Sequence, residues 1–240
     1  MNFNLLLFFH LGTFMAILAY YRRDALGILS GRLGARLPLF FLLSFVITGL
    51  VGLQFRKLAE NSITSQGNLI PYMWMINGVA IIGIGILSPQ GTRRFDQLHI
   101  WEYLLLGLFQ GMTAVPGISR LGITLGVGLM LGLIWMDALK VSFLLSLPTI
   151  LFANLYELIL QTSWLSSIGI YSAAGIEPTI SLSILPGDVA FGGLSVMVAF
   201  ASGLLALRIL SSHLSRKLLA YFGLYCLAAG LFFIPYLQLL

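Results

Sequence analysis

Eight apolar runs constrain this chain more than any other feature of its sequence. Only 9% of the residues are charged, whereas a soluble domain carries roughly 25%. So few charges cannot cover a water-facing surface, so the surrounding solvent must be lipid. Six of the runs approach the roughly 20 residues that a helix needs to span a bilayer. The runs lie at residues 3–21, 37–53, 69–87, 103–115, 119–135, 138–161, 189–210 and 217–239.

The runs 103–115 and 119–135 differ from the other six. The first is short, and Pro116-Gly117 separates it from the second. Proline removes a backbone donor and disfavours helix in the residue before it. We interpret the pair as a re-entrant hairpin, since such a break is tolerated at membrane depth only beside protein or a water-filled cavity. The predicted fold is therefore an all-α integral membrane domain over residues 1–240. Three spans lie in 3–87, the re-entrant hairpin in 103–135 and three spans in 138–239.

The basic residues predict an orientation. Segments 22–36 and 208–217 are rich in arginine and lysine and are predicted to be cytoplasmic, as is 88–102. Segment 162–188 contains neither and is predicted to be external, with loop 54–68 on the same side. These signs agree only if the hairpin enters and leaves on the cytoplasmic side. Both termini then lie outside.

The two sets of three spans then run in opposite senses, which is the arrangement of an inverted repeat. Only the second set follows a hairpin, so symmetry predicts that a matching hairpin would precede residue 1. We therefore expect the first hairpin of this architecture to be missing.

Other compositional features limit the possible partners. We assign the net charge of +5 to orientation and to contacts with anionic membrane lipids, and not to nucleic acid. Cys226 is the single cysteine, which excludes an intramolecular disulfide and a cysteine-based metal site. Three Gly-x-x-x-Gly pairs predict close helix packing, with a homodimer as the alternative. These pairs are 107 and 111, 122 and 126, and 128 and 132.

The segment 110–124 carries the residues suited to chemistry. Ser119 follows the break and is a favourable N-cap for the next helix. A helix N-terminus offers free N–H donors to an anion, and Arg120 adds a cation that binds phosphate in a bidentate manner. Thr124 follows Arg120 by four residues and shares its helix face. We predict a phosphate site in which Ser119, Arg120 and Thr124 are catalytic. Gly117, Gly122 and Gln110 are the further candidates for substrate binding.

The sequence PGISRLGIT at 116–124 resembles the P-G-x-S-R-S-G-x-T signature of the undecaprenyl-diphosphate phosphatase family, known for bacitracin resistance. Similar matches are FHLGTFMAILAYYRRD at 9–24 and SFLLSLPTI at 142–150. The resemblance runs from about residue 3 to the C-terminus. It implies a bacterial plasma-membrane enzyme that releases phosphate from a polyprenyl diphosphate lipid, in a cavity open to the outside. It also implies a divalent cation, Mg²⁺ or Ca²⁺.

The chain departs from the family pattern in two places. Leu121 replaces the second serine of the signature, and the family's initial E-x-x-x-E and Ser-Ser-x-Gly-His segments are absent from the sequence. Those segments are thought to supply metal ligands and acid–base groups, so the metal ligands are not identified here. The alternatives to hydrolysis are a polyprenyl-phosphate transporter or flippase and an inactive truncated family member. In-frame DNA upstream of Met1 would encode the absent segments if the start codon were misplaced.

Two of the remaining positions have two readings each, and the others have one. His10 could touch the cavity or serve as a hydrogen-bonded structural histidine. Glu157 could face the external cavity or lie at the membrane interface. Glu102 is predicted to be solvated at the cytoplasmic entrance of the hairpin, and Arg93-Arg94 to be a topology signal.

Overall fold

The computed structural model describes residues 3–65, 69–161, 186–213 and 216–237. Over these ranges the chain forms nine α-helices and a short 3₁₀ turn at Phe95–Gln97. The described residues contain no β-strand, although Arg93 and Leu133 form an isolated bridge. The helices are α1 (Phe3–Tyr20), α2 (Arg22–Leu29), α3 (Leu37–Ser65), α4 (Ile70–Leu87), α5 (Ile100–Met112), α6 (Arg120–Met130), α7 (Trp135–Gln161), α8 (Pro186–His213) and α9 (Arg216–Leu237).

The predicted apolar runs correspond to eight of these helices, and two predicted loops were wrong. Segment 22–36 begins with α2, which buries Ala25, Gly27 and Ile28. Its charged first turn hid this short amphipathic face. Segment 54–65 continues α3 to Ser65, because it contains neither glycine nor proline to end the helix.

The described helices confirm an all-helical membrane architecture. Four of them are long and apolar enough to cross a bilayer: Leu37–Phe55, Ile70–Leu87, Trp135–Leu155 and Phe191–Ser212. Helices α5 and α6 have 13 and 11 residues. At 1.5 Å per residue they reach only about 20 and 17 Å, well short of a hydrocarbon core of about 30 Å.

The chain divides into two compact units. The first comprises Met1–Arg22 and Ser146–Arg208. Within it, α1 and α8 approach closely at small residues. A Cβ at Gly12 would lie 2.7 Å from the Cβ of Ala199, and one at Gly203 would lie 2.9 Å from the Cβ of Ala16.

The second unit comprises Arg23–Leu145 and Ile209–Leu240. Helix α3 packs on α5 and α4 packs on α9. The Thr48 hydroxyl of α3 donates to the carbonyl of Gly107 at 3.0 Å. A Cβ at Gly78 would lie 2.6 Å from the Gly223 carbonyl oxygen. The Gly-x-x-x-Gly residues at 107, 111, 122 and 126 face neighbouring helices of the same chain, so they serve internal packing.

Arg93 joins the two ends of the α5–α6 hairpin. Its guanidinium donates to both carboxylate oxygens of Glu102, at 2.6 and 2.8 Å, and to the Leu131 carbonyl at 2.9 Å. Glu102 lies in the first turn of α5, whereas Leu131 follows the last residue of α6. The hairpin therefore begins and ends at the same place, as a re-entrant element requires.

The prediction that Glu102 is solvated was wrong, since the residue is only 2% exposed. The backbone N–H of His99 also donates to its carboxylate, at 2.6 Å. The predicted topology signal Arg93 is thus an ion-pair partner inside the fold. Sequence alone could not show this, because nine residues and a turn separate the two charges.

We expect Glu102→Gln to lower the free energy of unfolding by about 1–3 kcal/mol, because it leaves a half-buried arginine unpaired. Burial by itself raises the pKa of Glu102, but hydrogen bonds from Arg93 and His99 bring it below its ordinary value. The ion pair therefore contributes fully above about pH 4.3, the ordinary pKa of glutamate, and its contribution is lost as the pH falls further. Thermal melts in detergent at pH 7 and pH 3.5 measure this. The difference in melting temperature between Glu102→Gln and wild type should shrink at the lower pH. Asp96→Asn, which removes a surface ion pair, is the control and should change the melting temperature little at either pH.

The turn between α5 and α6 depends on Gly117. Its φ of +95° is strained for any residue with a side chain. A Cβ there would also lie 2.9 Å from the Cβ of Met73 and 3.1 Å from the Ile70 carbonyl oxygen. The turn therefore needs glycine both for its backbone conformation and for its contact with α4.

We expect Gly117→Ala to destabilise the chain by about 2–4 kcal/mol through backbone strain and overpacking. Gly83→Ala in α4 is the matched control, because nothing lies within 4 Å of its added Cβ. The control should be neutral or slightly stabilising, since alanine favours helix. Equal melting temperatures for Gly117→Ala and wild type would contradict the role assigned to the turn.

Candidate functional site

Ser119 is the N-cap of α6, as the sequence predicts. Its Oγ accepts a hydrogen bond from the N–H of Gly122 at 3.1 Å, and its carbonyl accepts one from the N–H of Ile123 at 3.0 Å. Its own N–H donates to Oδ1 of Asn77 in α4 at 2.9 Å. Its N–H, its carbonyl and its hydroxyl oxygen are thus all bonded, and the start of α6 is fixed against α4.

A cavity of about 330 Å³ lies beside this helix start. One part of its wall is polar and the rest is largely aromatic. We call it the polar cavity. The residues that line it are Trp74 and Asn77 of α4, Gly117, Ile118 and Ser119 of the turn, and Phe222, Tyr225, Cys226 and Ala229 of α9.

Arg120 is the first residue of α6, and its side chain is exposed. Within the described part of the chain it has no ion-pair partner. The backbone N–H groups of Arg120 and Leu121 precede the first bond inside the helix, so the helix itself leaves them free. A free guanidinium and two free amides at the positive end of a helix dipole make this position suited to an anion.

A second, apolar cavity of about 440 Å³ adjoins the first. Ser119 and Phe222 line both cavities. Leu121, which stands where the signature has its second serine, faces the apolar cavity. A hydroxyl in that position would meet mostly leucine. The remaining lining residues are Gly122, Leu125, Leu210, Leu218, Leu219 and Tyr221.

The structure does not bring every predicted site residue to the cavities. Thr124 is fully buried, and its hydroxyl donates to the Arg120 carbonyl at 2.8 Å. Gln110 is also buried, and its Nε2 donates to the Leu145 carbonyl at 3.1 Å. Gly122 lines the apolar cavity. A Cβ there would lie 2.9 Å from Cδ1 of Ile81, so this glycine also allows α6 to pack on α4. Gly117 and Ser119 line the polar cavity, and Arg120 follows Ser119 directly in the chain.

The sequence analysis missed Asn77 and Cys226. Asn77 is 3% exposed, and its Nδ2 donates to Sγ of Cys226 at 3.7 Å. An amide in the middle of the apolar run 69–87 was a visible signal, since a buried amide needs a partner. Its partners lie 42 and 149 residues away, so the sequence could not identify them.

The residues around Ser119 do not fit a divalent cation. Hard cations prefer several carboxylate or carbonyl oxygens, whereas the side chains here offer a hydroxyl, an amide and a thiol. In the described part of the chain, no three His, Cys, Asp or Glu residues lie close enough to hold a metal.

The other two candidates are not among the described residues that line the two cavities. His10 belongs to α1 in the first unit, and its side chain is exposed. The side chain of Glu157 lies outside the described residues, so both readings of it stay predictions.

Comparisons with known proteins agree on one family. The chain matches the family described as bacitracin resistance protein BacA over residues 2–232. It is 34% identical over 180 residues to an undecaprenyl-diphosphatase of Pelobacter propionicus, covering 70% of this chain and 66% of the relative, just under two thirds of its length. It is 29% identical over 235 residues to one of Trichlorobacter lovleyi, covering 92% of this chain and 78% of the relative. It is 30% identical over 245 residues to an undecaprenyl-diphosphatase of Myxococcus xanthus, covering 95% of this chain and 74% of the relative.

These matches run through the helices, the turn and the cavity residues described above. Together with the apolar helices they indicate a multi-pass membrane protein. The chain belongs to the bacitracin resistance protein BacA family.

Proposed function

We propose that this chain hydrolyses undecaprenyl diphosphate to undecaprenyl phosphate and inorganic phosphate, which recycles the lipid carrier for cell-wall synthesis. One observation carries the proposal. The start of α6, whose free N–H groups and Arg120 suit an anion, lies at Ser119 directly beside an apolar cavity. A substrate with a diphosphate head and a hydrocarbon tail needs these two environments next to each other. The family membership and the named relatives support the same substrate.

The diphosphate would lie at the N-terminus of α6. The free N–H groups of Arg120 and Leu121 and the Arg120 guanidinium would bind its oxygens. In hydrolysis, water attacks the terminal phosphorus, the bond to the bridging oxygen breaks and the lipid monophosphate leaves. Arg120 would stabilise the charge that builds on the phosphoryl oxygens.

The described lining of the polar cavity leaves Ser119 without a general base. No carboxylate or imidazole is among the described residues that line it. We therefore assign Ser119 to binding and to capping α6. Thr124 would support the site from behind through its bond to the Arg120 carbonyl.

The isoprenoid tail would lie in the apolar cavity. Its leucine lining matches a hydrocarbon chain, and its wall continues from the phosphate site through Ser119 and Phe222. Leu121 would contact the first isoprene units, which explains why a leucine suits this position.

The membrane arrangement that we propose has six spans and the re-entrant α5–α6 hairpin. The shortness of both helices and their joined ends at Arg93 support the hairpin. We place both termini and the polar cavity on the outer side of the bacterial plasma membrane, as the basic segments predict.

We expect Arg120→Ala to reduce phosphate release from undecaprenyl diphosphate by at least about 100-fold, because charge stabilisation in the transition state is lost. Arg120→Lys should recover only part of the activity, since an ammonium lacks the bidentate geometry. Purified protein in detergent and a phosphate-release assay measure this. Arg94→Ala, which removes an exposed arginine outside the site, should match wild type.

Two results would contradict parts of this proposal. Release that survives Arg120→Ala would exclude the assigned site. Binding of the lipid diphosphate without any release by the wild-type chain would exclude hydrolysis and favour the transporter alternative, which an assay of lipid movement in vesicles would then test.

We expect Leu218→Trp to raise KM for undecaprenyl diphosphate about tenfold, by filling part of the apolar cavity and displacing buried methylene groups. The KM for a short-chain diphosphate such as geranyl diphosphate should change by less than about twofold, because its tail buries fewer methylene groups in the cavity. Leu224→Trp is the control, since Leu224 is also exposed on α9 and lines neither cavity. An equal rise in KM for both substrates would contradict the tail site.

A further inference from the structure

We infer that Asn77 is a positioning residue for the phosphate-binding turn, acting through the backbone of Ser119. Its effect on catalysis rests on the proposed function, whereas its effect on the turn does not. Asn77 belongs to no motif that the sequence analysis singled out. It reaches the site from α4, and its contacts explain why a carboxamide occupies the middle of an apolar helix.

Asn77 lies in the sequence IPYMWMINGVAIIGIGIL, the apolar helix α4. It is 3% exposed. A buried amide without partners costs several kcal/mol in an apolar setting. Both ends of this amide are bonded, since Oδ1 accepts from the Ser119 N–H and Nδ2 donates to Cys226 Sγ. The polar group is therefore satisfied only while the turn keeps its present place.

The partners also determine which way the amide points. A backbone N–H can only donate, so the atom facing Ser119 must be the carbonyl oxygen. The amino group then faces Cys226, where sulfur serves as a weak acceptor. A flipped amide would place two donors against each other. Cys226 on α9 thus helps to hold the orientation that Ser119 requires.

This bond determines which donors remain for a phosphate. Without Asn77, the Ser119 N–H would be a free donor at the wall of the polar cavity, which Ser119 lines. Because Asn77 accepts the hydrogen bond of this N–H, the amides available to an anion are those of Arg120 and Leu121, the next two residues in the chain. Asn77 therefore sets both the direction of the first turn of α6 and the place where the anion binds.

Kinetics separate this role from simple stabilisation. Asn77→Leu keeps a similar volume and removes the acceptor, and it should lower kcat about 10- to 100-fold, as expected for a small displacement of a reacting group. KM should change by less than about threefold, because Arg120 still binds the ground state. Asn77→Asp keeps Oδ1 as an acceptor, and its second oxygen can accept from the Cys226 thiol. Its negative charge would repel the diphosphate and raise KM, whereas its kcat should stay within about fivefold of wild type.

Thr48→Val is the matched control, because it also removes one buried side-chain hydrogen bond between two helices, to Gly107. It should lower the melting temperature and leave kcat within about twofold of wild type. Equal kcat values for Asn77→Leu and Thr48→Val would overturn the inference. So would a loss of kcat in Asn77→Asp as large as that in Asn77→Leu.

A second measurement needs no activity. Labelling with carbonyl-¹³C isoleucine and ¹⁵N serine selects two amides, because the sequence contains two Ile-Ser pairs, 118–119 and 180–181. Ser181→Ala identifies which signal is which. The Ser119 signal should move upfield in Asn77→Leu, as its hydrogen bond is lost, and stay in place in Thr48→Val.

The two measurements distinguish the possible failures. A Ser119 signal that does not move in Asn77→Leu would overturn the positioning role, whatever the activity. A Ser119 signal that moves in Asn77→Leu, together with a wild-type chain that releases no phosphate, would support the positioning role and count against hydrolysis.

Discussion

The structure depends on satisfying the backbone where a helix breaks among apolar surroundings. Between α5 and α6 the chain leaves helical geometry, and each exposed N–H or carbonyl there needs a partner. Asn77 accepts from the Ser119 N–H, and the Ser119 hydroxyl accepts from Gly122. Gly117 provides the backbone conformation that joins the two helices. The groups that solve this local problem are also those that surround the polar cavity.

The same requirement applies at the other end of the hairpin. Helices α5 and α6 are each too short to span a bilayer, and the start of α5 lies beside the end of α6. Arg93 bonds to Glu102 at one end and to Leu131 at the other. Asp137 adds a bond to the N–H of Phe95, and the Tyr103 hydroxyl donates to the Phe95 carbonyl. The closed base fixes the two ends of the hairpin against each other, and the bond from the Ser119 N–H to Asn77 holds its turn against α4.

The sequence predicted the parts of this arrangement that are local. Pro116-Gly117 marked the break, and Ser119 was recognised as the N-cap because capping involves residues three apart. Glu102 and Asn77 could not be assigned, since an isolated charge or amide gives no indication of the partner it will meet. Thr124 shows the opposite limit. Its helix face was predicted from spacing, but its hydroxyl bonds backward to Arg120, which helical spacing also allows.

The Leu121 departure from the family signature has a physical explanation in the fold. Leu121 and Leu125 are four residues apart on α6 and line the same apolar cavity. A serine at 121 would add a hydroxyl at the boundary between the phosphate and its tail, whereas leucine extends the apolar wall up to Ser119. The chain thereby retains its charge at Arg120 and its backbone donors while increasing contact with hydrocarbon. In the proposed site, recognition of a lipid diphosphate would rest on the helix start and the apolar wall together, and not on a cluster of hydroxyl groups.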